Sequence, residues 1–259
     1  MKIVANWSLL ISVLLALVSL SGCASLDQEK ASPRDGIDTH SPPGFLAVPD
    51  SGMGPGVLVL HPWWGLNGTI KDICRDLASR GYVAFAPDLY HGDVAKTIAQ
   101  AETLARRLDE HHVQASGDVL SALAYLTQRS ESHHRGVVVI GFSLGAFYAL
   151  ESASSAPEAI HAVVLFYGTG GGMDFSKSSS SYLGHFASDD PYEPKESVDW
   201  LRGELEKAGR PATFYTYEGT GHWFVEPDVT AAYNPDAAAL AWSRTYDFLE
   251  RYFAGAVEE

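Results

Sequence analysis

The chain is short of basic residues, of sulfur and of long apolar stretches. Its 259 residues hold 18 Lys and Arg against 32 Asp and Glu, a formal charge of −14. Such an excess argues against nucleic acid as a partner and against electrostatic adhesion to anionic lipid, since both require a surplus of cations. Two cysteines, Cys23 and Cys74, exclude a disulfide scaffold. There is no H-E-x-x-H motif and no Cys/His cluster, so no metal centre is expected; His111, His112, His133 and His134 read as solvated. The glycine-rich start of the segment Gly168–Ser181 has Met173 where a dinucleotide fingerprint needs its last glycine, and no GK[ST] follows. That segment reads as a flexible surface loop, and no cofactor is implied.

What is present suffices for a globular core: 46% of residues are hydrophobic and 19% charged. The one long apolar run, Leu9 to Leu20, is roughly half of what crosses a bilayer core. With Lys2 before it and small residues after it, the run reads as a secretory signal peptide. Its end, Leu20-Ser21-Gly22-Cys23, resembles the lipobox of bacterial lipoproteins. The resemblance implies removal of residues 1–22, a lipid on Cys23, and attachment to a membrane of the bacterial cell envelope on its periplasmic side. An ordinary signal peptide and an uncleaved anchor are the alternatives. Residues 24–43 are polar, with almost no large apolar side chain to repay ordering. Three segments follow: a signal peptide over 1–22, a lipidated cysteine with a flexible tether over 23–43, and a folded domain over 44–259.

Within that domain, apolar runs alternate with helical periodicity. Pro55–Leu60, Tyr82–Ala86, Gly136–Ile140, Ala162–Tyr167, Tyr182–Ala187 and Thr213–Glu218 read as strands. Ile70, Ile73, Cys74 and Leu77 recur at i, i+3, i+4 and i+7, so a helix there buries Cys74 as a small hydrophobe. Further helices are expected over 95–109, 113–128, 144–152, 195–207 and 236–253. Strands separated by helices predict an α/β fold, a mostly parallel sheet covered on both faces.

Gly141-Phe142-Ser143-Leu144-Gly145 follows a β-branched run and opens a helix, the setting of a nucleophile elbow. A serine hydroxyl attacks only when a base takes its proton and a carboxylate orients that base. In this fold both partners lie downstream, acid before histidine. Among the three histidines after Ser143, only His222 stands just past a strand, in Gly219-Thr220-Gly221-His222. Asp189 and Asp190 both follow the strand 182–187, and spacing does not choose between them.

These motifs together resemble the dienelactone hydrolase family, a branch of the α/β-hydrolases. The resemblance covers nearly all of residues 44–256. It rests on His61-Pro62-Trp63-Trp64-Gly65-Leu66-Asn67, Arg80-Gly81-Tyr82, Pro87-Asp88-Leu89-Tyr90, the Ser143 elbow, Asp190 four residues before Pro194, Gly221-His222 and Trp242-Ser243-Arg244-Thr245. It implies Ser143 as nucleophile, Asp190 as acid, His222 as base, and the backbone N–H groups of Trp63 and Leu144 as oxyanion hole. Three departures matter. The family's founding enzymes have cysteine where Ser143 stands and a glutamate controlling it where Pro62 stands. The arginines that hold the dienelactone carboxylate match Gly92 and Glu226, which cannot clamp a carboxylate.

The expectation is therefore a lipid-anchored serine hydrolase acting on a small neutral ester or lactone. Trp64, Phe142, Tyr192 and Trp223, with Trp63 and Phe224, are candidates for an aromatic substrate pocket, about half of them expected to be core instead. The alternatives are a non-catalytic envelope binding protein on the same fold, or a peptidase or acyltransferase using the same three residues. Oligomeric state is not legible.

Overall fold

The structure, a computed structural model, describes residues 41–131 and 136–255. The expected signal peptide, Cys23, most of the tether, His133 and His134 lie outside the described residues. Strands β2 (Gly56–Leu60), β3 (Val83–Pro87), β4 (Val137–Phe142), β5 (Ile160–Phe166), β6 (Ser181–Ala187) and β7 (Ala212–Tyr217) run parallel. β2, β3 and β4 are buried along their whole length, as expected of continuous apolar runs covered on both faces.

A further strand, β1 (Gly44–Ala47), pairs antiparallel with β3 and closes one edge. Its apolar run, Phe45–Val48, is short, ends at Pro49 and follows directly on the polar stretch, and it is absent from the expected strands. The sheet order is β1-β3-β2-β4-β5-β6-β7.

Among the described residues, six helices cover the two faces. α1 (Gly68–Ser79) is capped by the Asn67 side chain, which accepts from the Ile70 N–H at 3.1 Å. With α6 (Pro235–Ala254) it buries Ile70, Leu77, Phe248 and Leu249 in the core on one face. On the other face α3 (His112–Arg129), α4 (Leu144–Ser155) and α5 (Lys195–Lys207) bury Val119, Leu126, Ala149, Leu201 and Leu205. α2 (Ile98–Glu110) starts later than its apolar pattern suggests. Thr97 caps it, and the Ala95 N–H is engaged instead by the Trp64 carbonyl at 2.9 Å.

Two expectations are corrected. The segment Gly168–Ser181 is anchored, not a free loop: it holds a short 3-10 turn, Phe175–Lys177, with Phe175 buried against Tyr182. Ser178 shares a 2.9 Å hydrogen bond with the Tyr182 hydroxyl, and the Ser180 hydroxyl donates to the Ile160 carbonyl at 2.8 Å. His112 is tied into the α3–α4 contact, with Nε2 2.7 Å from Glu151 Oε1 and its ring stacked on Tyr148.

Glycine matters most where α4 crosses β2. A Cβ at Gly145 would lie 2.2 Å from the Leu60 carbonyl oxygen. Leu60 is paired with Gly141 and cannot withdraw without opening the sheet. Gly145→Ala should therefore cost about 2–3 kcal/mol or more in urea unfolding. Gly203→Ala, in α5 with open space around the added carbon, should be neutral or gain up to about 1 kcal/mol.

Candidate active site

Ser143 stands between β4 and α4 with φ 49° and ψ −114°, a left-handed conformation rare for a residue with a side chain. Such strain costs about 1–3 kcal/mol and persists only where the surroundings enforce it. The Ser143 N–H is held by the Phe166 carbonyl at 2.9 Å, and its own carbonyl accepts from the Ala146 N–H at 2.8 Å. The turn lifts Oγ to within 2.8 Å of His222 Nε2. His222 Nδ1 lies 2.7 Å from Asp190 Oδ2. The other Asp190 oxygen accepts the Tyr192 and Glu193 N–H groups at 2.9 and 3.0 Å.

Both side chains of the His222–Asp190 pair are almost fully buried, at 5% and 2% exposure. Asp189 is exposed and only its backbone N–H is used, donating to the Thr220 carbonyl at 2.9 Å. The geometry thus separates two carboxylates that spacing left equivalent. All three groups sit at the C-terminal ends of parallel strands, where open α/β sheets build their sites.

The Leu144 N–H opens α4, at the positive end of the helix dipole. Trp63 follows β2 in a loop fixed by His61, a residue whose part was not foreseen. The His61 ring is fully buried, and its Nε2 accepts from the Leu89 N–H at 3.2 Å. Nδ1 therefore carries the proton and donates to the Pro62 carbonyl at 2.9 Å. Burial lowers the pKa of this imidazole and keeps it neutral. Because the peptide is planar and trans, holding the Pro62 C=O on one side aims the Trp63 N–H to the other. Neither the Trp63 nor the Leu144 N–H enters the turn and cap hydrogen bonds around it.

Trp64, Tyr192 and Trp223 are brought together with Trp63 beside His222. The Trp223 ring lies 4.9 Å from His222, 5.1 Å from Tyr192 and 5.2 Å from Trp64, and stacks on Trp63 at 6.4 Å. Tyr192, at 48%, is the most exposed of the four. Phe142 must be withdrawn from the pocket: it is wholly buried, stacked on Phe166 at 4.7 Å and close to Trp242. Strand alternation explains this, since the residue before Ser143 points to the opposite face of β4. Phe224 is likewise core.

Glu193 was also missed. It follows no motif, yet its carboxylate accepts the Thr169 N–H and hydroxyl at 2.9 and 2.7 Å and binds the glycine-rich segment to the Asp190 loop. Burial raises its pKa.

Neither position matched to a substrate-binding arginine offers a cation. Gly92 is exposed, its N–H bonded to Asp88, and Glu226 is buried. Arg107 is paired with Asp93 at 2.5 Å. Cys74 is buried in the core, its thiol pushed up to about 12 by desolvation. Among the described residues no group of His, Cys, Asp or Glu is suited to a metal ion, and no helix is long and apolar enough to cross a membrane.

The strand order and the turn at Ser143 make this protein an α/β-hydrolase. More narrowly, the chain belongs to the dienelactone hydrolase family, whose model matches residues 43–253. It is 30% identical over 215 residues to protein usf of Aquifex pyrophilus, spanning 81% of this chain and 93% of that protein. A protein of Aquifex aeolicus named as a candidate carboxymethylenebutenolidase is 28% identical with the same coverage. Among solved structures, a dienelactone hydrolase-like promiscuous phosphotriesterase from metagenomic libraries superimposes with a TM-score of 0.71 at 25% identity, covering 78% of this chain and 87% of that one. A candidate dienelactone hydrolase from Klebsiella pneumoniae gives 0.67 at 25% identity, covering 78% and 88%.

Proposed function

We propose that this protein is a serine hydrolase that cleaves a neutral carboxylic ester or lactone through an acyl-enzyme. The observation that carries the reading is the unbroken line from Ser143 Oγ through His222 to Asp190. Family membership and the relatives named as carboxymethylenebutenolidases, a lactone-cleaving activity by name, support the reaction class.

In this reading His222 Nε2 takes the Ser143 proton as Oγ bonds to the carbonyl carbon. The carbonyl oxygen becomes anionic and is stabilised by the Trp63 and Leu144 N–H groups. Asp190, fixed by two backbone donors, stabilises the imidazolium, which then protonates the departing alkoxide. Water, deprotonated by His222, attacks the acyl-enzyme and releases the acid and free Ser143. The Trp63, Trp64, Tyr192 and Trp223 surface receives an apolar part of the substrate.

We also propose that residues 1–22 are removed and that Cys23 is lipidated in a bacterial cell envelope. The lipobox-like ending of the apolar run and the polar stretch behind it support this. Mass spectrometry of the mature N-terminus should find lipid on Cys23, and an unmodified Cys23 overturns the anchor.

A fluorophosphonate should label Ser143, while iodoacetamide should leave activity intact because the Cys74 thiol is buried and protonated. Ser143→Ala and His222→Ala should each lower kcat by about 10⁴-fold or more, with no further loss in the double variant. Retained activity in either single variant rejects the mechanism.

Substrate charge gives a second test. With an acid at Glu226, no side chain at Gly92 and a formal charge of −14, a substrate carboxylate meets no cation at either matched position. A neutral aryl or short alkyl ester should exceed its carboxylate-bearing analogue in kcat/KM by at least about tenfold, roughly 1.4 kcal/mol. Preference for the anionic analogue would show that a cation reaches the site.

A further inference from the structure

Glu226 is the only Asp or Glu among the described residues buried as a whole residue. It stands four residues beyond His222, its N–H closing a turn onto the Trp223 carbonyl at 2.9 Å. Its Oε1 accepts the Tyr167 hydroxyl at 2.7 Å, and its Oε2 has no partner. Tyr167 follows Phe166, whose carbonyl holds the Ser143 N–H, so the same stretch of backbone supports both. It is fully buried, left-handed at φ 38°, and its N–H is fixed by the His185 carbonyl at 2.8 Å. Its ring lies 4.9 Å from the His222 ring, inclined by 59°.

Two in-plane hydrogen bonds, to Ser143 and Asp190, fix where the His222 nitrogens point. They restrain poorly the tilt of the ring about the line joining them. That tilt is set by packing on Tyr167, Tyr192 and Trp223. Tyr192 is half exposed, and no hydrogen bond holds the Trp223 indole N–H. Only the Tyr167 ring is both buried and tethered at its far end.

We propose that Glu226 is a positioning residue for the hydrolytic reaction: acting through Tyr167, it fixes the tilt of the His222 imidazole towards Ser143, and it does so as an uncharged acid. The proposal rests on the reading of His222 as the base.

The surroundings favour the uncharged form. Asp228, in the same loop, is negative and is itself held by Asn67 and Thr69 at the start of α1. On the far side of Tyr167 stand Asp190, also negative, and His222. His185 on β6 is kept neutral by burial. Among the described residues no Lys or Arg shifts Glu226. Desolvation, the largest influence, raises its carboxyl to about 8, outweighing the Tyr167 hydrogen bond, which favours the carboxylate. The sign follows: the proton is present below about pH 8 and leaves above it. The resulting carboxylate keeps the Tyr167 hydroxyl as donor on Oε1, but its Oε2 is buried and faces no donor, and a shift of the carboxyl towards one takes the Tyr167 ring with it.

The test uses the purified full chain and a neutral ester, with active sites counted by fluorophosphonate titration so that misfolded protein drops out. Tyr167→Phe and Glu226→Ala should each lower kcat per site by about tenfold while KM stays within about twofold. Glu226→Gln, whose amide oxygen still accepts the tyrosine hydroxyl, should restore most of that loss. It should also abolish the decline in kcat that the parent chain shows above about pH 8. Unchanged kcat per site in Tyr167→Phe, or an alkaline decline that survives in Glu226→Gln, overturns the proposal, and these two variants decide should Glu226→Ala not fold. If Ser143→Ala keeps its activity, the hydrolase reading falls and this one with it. If Ser143→Ala is inactive while Tyr167→Phe is unaffected, only the positioning role falls.

Discussion

The close approach of α4 to β2 and β4 sets the geometry on which the remaining site depends. Glycine at 141 and 145 lets the helix begin directly over the strand ends, and that proximity forces Ser143 into its left-handed turn. The strain is held in place by a hydrogen bond from Ser143 to the neighbouring strand, not by any contact of the serine side chain. Oγ is thus presented by the backbone, and its partners need only be delivered to a fixed point. They arrive from the ends of β6 and β7, two strands paired to each other in register. Register in that pair sets the distance between Asp190 and His222.

Polar groups in the site are fixed largely by backbone partners. Asp190 is held by two N–H groups, Glu193 grips an N–H and a hydroxyl, and His61 spans a carbonyl and an N–H. Such partners cannot swing away, so the donors and acceptors are preorganised before substrate arrives. Glu226 departs from this pattern, with one side-chain partner and one bare oxygen. A neutral acid is the state that such an environment tolerates.

Much of the fold was legible because the central strands are continuous apolar runs and the helices have one-sided periodicity. β1 escaped because its apolar run, Phe45–Val48, is only four residues long and stands at the end of the polar stretch, at a sheet edge. The elbow and His222 were legible from local motifs and their order along the chain. The choice of Asp190 over Asp189 was not available from spacing, because it depends on which carboxylate a loop turns inward. His61 heads a quoted motif that gives it no role, and its contacts, like those of Tyr167, run through backbone and ring partners that spacing does not reveal. Phe142 misled because sequence proximity to Ser143 was taken as spatial proximity, although alternation along β4 puts it on the other face.

The line joining Ser143, His222 and Asp190 spans large separations along the chain, 79 residues between the first pair and 32 between the second. Contacts of that kind exist only when β6 and β7 are paired beside β5, whose Phe166 carbonyl holds the Ser143 turn. β5 holds the serine turn, but without β6 and β7 the serine would have no imidazole beside it. Hydrolytic competence is in that sense a property of the finished sheet. A sheet without its last two strands would keep the strained serine and lose the two groups that face it.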